Sequence, residues 1–567
     1  MTDDSMIYWR TPEGVRRAFA DGRFGQIHYR IARPATPTQV PLICFHLSPG
    51  SGRMYGQFLQ RMGVDRVAIA PDSIGFGEST PPPAPKEIGD FAACMGELLD
   101  SLGIAKVDAM GMHTGSEVAV ELARQRPDQV RKLILISAPV FTDDELETFR
   151  AEYKGVPLSP EGAHLKTRWD MHWHWRGPGV GPDLIQRELS ESLRAGEKYE
   201  WGHAAAFNYP FGKALREVSQ PILVLNTEDD LVEQTRRAAP LMQNGRILEL
   251  PKEKFGHGML DLHPDEIAQI ARDFLDSDDV EETVVNPDGA GKRTIASPAT
   301  SATFVRRAFA DSRWGQLHYR SIRPPEAEQT ARPLICLHAS PRSGRAYVNF
   351  MKSIGSDRIV LAPDTPGFGE SEPPPEPVEI ADFADVMTDF IMKQGFDEVD
   401  LFGFHTGSEV ATELWHKMGK MVKHIVMYSA PLFSDEELAD FRARYTPVTF
   451  GEDGMHNVER WQFFWPWLGP DQPITNYAEA FNETLRWGPA YSWGHRAAFN
   501  YPMAKRLKQV NCPVLVLNPE DDLYEQSKRA ADLIQKGRVH DLPGFGHGML
   551  DTRTADIAAV VREFLES

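Results

Sequence analysis

Five strings in this chain occur twice, always at nearly the same distance. VRRAFAD stands at 15–21 and again at 305–311, GFGES at 75–79 and 367–371, and HTGSEVA at 113–119 and 405–411. WGHAAAFNYP at 201–210 returns as WGHRAAFNYP at 493–502, and FGHGMLD at 255–261 returns at 545–551. The offset stays between 290 and 292 residues throughout. A period of that length is far beyond any solenoid repeat and means two copies of a whole domain. Length alone, 567 residues, would suggest three or four domains at roughly 150 residues each. The repeat reduces that to two, over 1–277 and 303–567. The stretch between them, 278–302, is acidic first and then rich in Gly, Ala, Ser and Pro. It cannot bury a core and reads as a linker.

Composition narrows the function. The chain is 41% hydrophobic and 25% charged, enough apolar material for two large cores. Its formal charge of −20 repels phosphate backbones and anionic lipid, so neither nucleic acid nor a membrane surface is expected as a partner. No apolar run reaches the roughly 18 residues that span a bilayer. The opening MTDDSMIYWRTPEG is acidic and has no apolar stretch of the signal-peptide kind. Four cysteines are too few for a disulfide framework. A reducing cytoplasmic home is therefore expected.

Within one copy, the segment around VRRAFADGRFGQIHYRIARP alternates apolar and polar residues about a turn, which predicts an N-terminal hairpin. PLICFH, RVAIAP, KVDAMGMH, KLILISAP and PILVLN are short apolar runs that alternate with helix-length segments such as TGSEVAVELARQ. That alternation predicts an α/β fold with a mostly parallel sheet covered by helices on both faces. In such sheets the chemistry collects at the carboxyl ends of the strands, here the loops opening at His46, Asp72, His113, Asp230 and His257.

These motifs resemble the α/β-hydrolase superfamily over nearly all of both halves. HLSP at 46–49 takes the place of that family's oxyanion loop, and DSIGFGES at 72–79 is close to its D-x-x-G-x-G-x-S turn. KVDAMGMHTGSEVA has the spacing of the nucleophile elbow, LVLNTEDDLV at 223–232 carries the acid, and FGHGM at 255–259 the histidine. The resemblance implies an inserted helical lid in each domain, at about 142–220 and 434–512. It departs at the centre of the site. The elbow reads Gly111-Met112-His113-Thr114-Gly115, and Gly403-Phe404-His405-Thr406-Gly407 in the second copy. A histidine thus holds the nucleophile position in both. A register shifted to make Thr114 the nucleophile would put Met112 and Phe404 where only small side chains fit.

By family position, His257 and His547 are expected to be general bases oriented by Asp230 and Asp522, with Asp229 an alternative acid because TEDD offers adjacent carboxylates. His113 and His405 are expected to donate a hydrogen bond or proton to a developing oxyanion. Direct attack to give an acyl-imidazole ranks below that. Leu47 and Ala339 stand where the family has glycine, yet the backbone N–H groups of Ser48 and Thr114, and of Ser340 and Thr406, are expected to form oxyanion holes. His46, His338, Asp72 and Asp364 are read as structural. Two histidines and a carboxylate could bind iron or zinc, but hydrogen bonding accounts for the same residues, so no metal and no cofactor are expected.

In the lids, WDMHWHWRGP at 169–178 matches WQFFWPWLGP at 461–470, with His172 and His174 facing Phe464 and Pro466. Aromatic clusters there build apolar pockets or pack the lid on the body. His203, Asn208 and Tyr209, with His495, Asn500 and Tyr501, are the polar groups of the shared WGHxAAFNYP string and the candidates for substrate contacts. The expected function is cofactor-independent His–Asp catalysis on small, largely apolar esters, lactones or related carbonyl compounds. A lyase, decarboxylase or cofactor-free oxygenase is the first alternative, and a non-catalytic ligand-binding pseudohydrolase the second. The duplication implies halves that pack as an internal pseudo-dimer.

Overall fold

The short apolar runs become strands, because helices on both sides leave them no polar face. In the computed structural model, which describes residues 6–277, 297–467 and 472–567, the first half begins with β1 (Val15–Gly22), β2 (Gly25–Ala32), β3 (Leu42–Phe45) and β4 (Ala68–Pro71). It continues with β5 (Val107–Met112), β6 (Val130–Ile136), β7 (Ile222–Asn226) and β8 (Gly245–Glu249). They form one eight-stranded sheet in the order β1-β2-β4-β3-β5-β6-β7-β8. β1 and β2 make the expected antiparallel hairpin, β2 pairs antiparallel with β4, and every later pair is parallel. The second half repeats this order.

Successive side chains of a strand point to opposite faces, and the core divides accordingly. Ile43 and Phe45 of β3 pack with Ile88, Phe91, Val118 and Leu122 on one face. Leu42 and Cys44 pack with Phe58, Met62, Ile267 and Leu275 on the other. The last helix of this half, Pro264–Leu275, starts on a proline where the missing N–H is harmless and buries Ile267, Ala268, Ala271 and Leu275 along one stripe. Between β6 and β7 the chain leaves the sheet for five lid helices, Asp143–Glu152, Ala163–His174, Pro182–Leu193, Tyr199–Asn208 and Phe211–Glu217. Asp435–Arg444, Met455–Phe464, Ile474–Leu485, Trp493–Asn500 and Met503–Leu507 correspond to them in the second half.

The repeated VRRAFAD string is where the halves meet. The Gln26 side chain donates to the Arg307 carbonyl (2.9 Å) and accepts from the Arg307 N–H (2.7 Å), while Gln316 does the same with Arg17 (2.8 and 2.7 Å). Phe19 stacks on Phe309 at 5.5 Å. The lids lock together as well. Trp169 Nε1 donates to the Glu452 carbonyl at 2.7 Å, and Trp461 Nε1 to the Pro160 carbonyl at 2.8 Å. Both indoles are fully buried in a cluster that mixes Leu165, Leu184 and Leu189 with Val458, Phe481 and Leu485. Buried charges pair across the same junction, Arg17 with Glu370 (3.1 Å) and Arg486 with Glu78 (3.2 Å).

Residues 278–296 of the expected linker lie outside the described residues. Its end is docked rather than free: Ala299 is buried in a short turn, and the Ser297 hydroxyl donates to the Gly25 carbonyl of β2 at 3.4 Å. No helix among the described residues is long and apolar enough to cross a membrane.

Candidate active site

β5 ends in the sharp turn that the glycine spacing predicts. His113 has φ 51° and ψ −116°, and His405 has φ 48° and ψ −111°. Histidine is among the non-glycine residues more often found at positive φ, and the close packing around the turn holds it there. A β-carbon on Gly111 would run into the Gly115 carbonyl, and one on Gly115 into the Phe45 carbonyl. The residue at the apex is therefore the histidine, and Thr114 is the first residue of the helix Thr114–Gln125.

The structure gives each histidine its own carboxylate. His113 Nε2 donates to Asp229 Oδ2 at 3.0 Å, and His257 Nε2 donates to Asp230 Oδ1 at 3.4 Å. The second half repeats the arrangement, with His405 to Asp521 at 2.9 Å and His547 to Asp522 at 2.8 Å. The rings of His113 and His257 lie 5.1 Å apart, and those of His405 and His547 5.0 Å apart. Asp230 and Asp522 thus meet the histidines the sequence assigns them. Asp229 does not stand in for Asp230 but serves the other histidine. Asp229 also accepts from Ser137 Oγ (2.5 Å), Thr227 Oγ1 (2.9 Å) and the Leu231 N–H (2.8 Å), so its orientation is fixed. Ser137 and Ser429 are themselves held at positive φ, 59° and 60°. Sequence reasoning missed these serines; their signal was the repeated Ser-Ala-Pro at the end of β6, present in both copies.

Burial works against a charged His257, but the hydrogen bond and charge of Asp230, with the charge of Asp229, prevail and push its pKa up to about 9. In the second half the pKa of His405 is raised, against its burial, by Asp521 and Asp522. Asp230 and Asp522 are held well below the usual carboxylate range by the facing histidines, which outweigh their burial. The loops are pinned from outside: the Glu228 N–H donates to the Phe255 carbonyl (3.1 Å), and the Gly177 N–H of the lid to the His257 carbonyl (3.0 Å).

Above each centre is a cavity, about 160 Å³ in the first half and about 120 Å³ in the second. Ser48, His113, Thr114, His203, Asp230 and His257 line the first; Ser340, His405, Thr406, His495, Asp522 and His547 line the second. Thr114 and Thr406 open their helices, so their N–H groups have no intrahelical acceptor and are available to an oxyanion. Phe141, Phe149, Tyr153 and Phe207 wall the first cavity, and Phe433, Phe441, Tyr445 and Phe499 the second. These aromatics were not singled out from the sequence, although FTDDELETFRAEY and FSDEELADFRARY carry three of the four in each copy. Tyr153 donates to Asp230 Oδ2 at 2.7 Å.

Four of the six candidate substrate contacts lie elsewhere. Asn208 is exposed and accepts from Arg150 (3.3 Å), and Tyr209 donates to Glu121 (2.6 Å). Asn500 donates to Glu379 (3.2 Å) and Tyr501 to Glu413 (2.9 Å). The reason is helical geometry: His203 and Phe207, four residues apart, share the face toward the cavity, and the next two residues turn away from it. His172 lines the first cavity and His174 is exposed. His46 is structural, its Nδ1–H donating to the Leu47 carbonyl (2.6 Å) and its Nε2 accepting from Ser73 (2.8 Å). His338 repeats this with Ala339 (2.9 Å) and Thr365 (2.8 Å). Asp72 accepts from the Gly52 and Glu78 N–H groups (2.8 Å each) and holds the loops together. Asp364 does so at Gly344 and Glu370.

His113, Asp229 and His257, and His405, Asp521, Asp522 and His547, bring donor atoms within 4.8 Å of one another. Such a set could hold a divalent ion, and the His–Asp contacts of 2.8–3.4 Å at the two centres are hydrogen bonds.

Comparison with known proteins gives the family of both halves. The profile of the alpha/beta hydrolase fold matches residues 40–257, and that of the alpha/beta hydrolase family matches 334–560. The lipase LipV of Mycobacterium tuberculosis is 32% identical over 263 residues, 44% of this chain and 97% of the relative. The bifunctional esterase/perhydrolase DCH of Acinetobacter calcoaceticus is 27% identical over 259 residues, 39% of this chain and 87% of the relative. Among solved structures, an esterase from Exiguobacterium antarcticum matches 46% of this chain and 99% of its own at 15% identity, with a TM-score of 0.39. The chain belongs to the α/β-hydrolase family twice over, and it is an enzyme of that class.

Proposed function

We propose that both halves hydrolyse small, largely apolar carbonyl compounds, such as esters or lactones, with water as the nucleophile. The observation that carries this reading is the pair of histidines, each on its own carboxylate, facing an aromatic cavity in both halves. In its neutral form His257, or His547, takes a proton from water as it attacks the carbonyl. Asp230 or Asp522 orients that ring and stabilises the imidazolium. His113 or His405 stands where the family's elbow presents a nucleophile; as the imidazolium, with one ring N–H held by Asp229 or Asp521, it gives its other ring N–H to the developing oxyanion beside the Ser48 and Thr114, or Ser340 and Thr406, N–H groups. His203 and His495, made neutral by burial at about 4 and about 3, supply hydrogen bonds without charge.

The paired Gln26 and Gln316 bonds and the interlocked tryptophans support an internal pseudo-dimer, and four buried free thiols support a reducing, cytoplasmic setting. No step requires a cofactor. The same base serves proton abstraction from the substrate itself, and a second reading as a lyase or cofactor-free oxygenase rests on that alone. The test is turnover of a panel of 4-nitrophenyl esters in ¹⁸O-labelled water. One labelled oxygen in the acid is expected, with no labelling by a fluorophosphonate probe. Stoichiometric labelling of a serine, or unlabelled product, would sink the water mechanism.

A further inference from the structure

The two cavities share their aromatic walls and differ in charge. Arg53 and Arg187 line the first, and both are committed. Arg187 makes two hydrogen bonds to Asp261 (2.7 and 2.5 Å), and Arg53 pairs with Glu191 (3.2 Å) while also donating to the Trp9 carbonyl (3.1 Å). The same wall also carries Glu188 and His172, the latter kept neutral by burial, which lowers its pKa to about 3. At the position of Arg187 the second half has Glu479, and at those of Glu188 and His172 it has Ala480 and Phe464.

The second cavity gains its cation from another element. Arg342 follows Ser340-Pro341 in the oxyanion loop, where the first half has Gly50. Its backbone N–H closes the turn onto the Ala339 carbonyl (2.8 Å), and its guanidinium lies 5.6 Å from the centre of the Phe404 ring. Among the described residues that guanidinium makes no hydrogen bond and no salt bridge, although it lines the cavity. Asp551, whose carboxyl feels its charge, also lines the cavity but accepts its hydrogen bond from Asn349 (3.1 Å). A guanidinium at the wall of an apolar cavity, with no hydrogen-bonded or ionic partner among the described residues, is a receptor for a carboxylate, which it can meet with two parallel bonds.

We propose that the second half takes substrates bearing a carboxylate, bound by Arg342 with their apolar body against Phe433, Phe441 and Phe499, while the first half takes uncharged ones. This rests on the cavities being the substrate sites, and it narrows the largely apolar substrates expected from the sequence for one half only. The pairing of the cations differs: Arg53 and Arg187 of the first cavity are each held by a carboxylate, and Arg342 of the second has none among the described residues.

Isothermal titration of the full chain with 3-phenylpropionate and with 3-phenylpropionamide tests it without relying on turnover. The anion is expected to bind one site per chain, and the amide to bind with no dependence on Arg342. Arg342→Gln is expected to weaken the anion at least tenfold and leave the amide unchanged, with Arg342→Lys recovering part of the loss. Equal affinity for the anion in Arg342→Gln, two anion sites per chain, or no anion binding would each overturn the proposal. Ester hydrolysis measured on the same variants separates this outcome from failure of the hydrolytic reading.

Discussion

The two halves keep their centres nearly superposable in chemistry and let the walls around them differ. His113, Asp229, Asp230 and His257 recur as His405, Asp521, Asp522 and His547, down to the serine that anchors the first carboxylate (Ser137 and Ser429). Four side chains that must meet within a few tenths of an ångström tolerate little change. A cavity wall has no such constraint, and there Gly50 faces Arg342, Glu188 faces Ala480 and His172 faces Phe464. On the proposed function, the shared centre sets the reaction and the differing walls set the substrate.

The comparison breaks most visibly if one half is idle. His257→Ala and His547→Ala are each expected to remove one of two activities, and together to lower ester turnover by about 10²–10⁴-fold, the range for a lost general base. Full activity in the double variant would end the base assignment, and an unchanged rate in one single variant would mark that half as inactive. Next in size is the shared lid. Trp169→Ala, or Trp461→Ala, is expected to cost about 3–5 kcal/mol as a large buried aromatic is removed, measured by urea unfolding. Because each indole sits in the other half's turn, the loss should be felt by both halves, and a transition confined to one would contradict the interlock.

The third test concerns pH. His257 has a folded-state pKa above its unfolded value, at about 9. The stability it lends is therefore complete below about 6.5 and is lost as pH rises through 9. Its neutral, base form grows over the same interval. In the His547→Ala background, kcat/KM should climb about tenfold per pH unit and level near 9. Asp230→Asn should bring that limb to lower pH while reducing the plateau; a profile flat from pH 6 to 9 would contradict the assignment. The smallest expected effect is none: dialysis against a chelator should leave both activities unchanged, and a loss restored by zinc would recast the four-residue centre as a metal site.

Much of this was legible in the sequence because repetition and spacing carry geometry. Gly111 and Gly115 fix the elbow, since no side chain fits at either, and the TEDD and FGHGM strings place an acid and a histidine at strand ends. What the sequence could not convey was direction. Asp229 and Asp230 are neighbours, and only the turn shows that one carboxylate faces His113 and the other His257. Asn208 and Tyr209 have the right chemistry for a substrate contact, but one helical step rotates them away from the face that His203 presents. VRRAFAD was visible as a repeat, yet nothing in seven residues says that they seat against their own copy.

That last contact has an evolutionary consequence. In a dimer of identical chains, a single codon writes both copies of every residue, so an arginine gained in one pocket appears in the other. Here Gln26 and Gln316, or Trp169 and Trp461, preserve the symmetry of a dimer, while each position has a codon of its own. One pocket can change its preference without cost to its neighbour, and the junction keeps the two in a fixed one-to-one ratio.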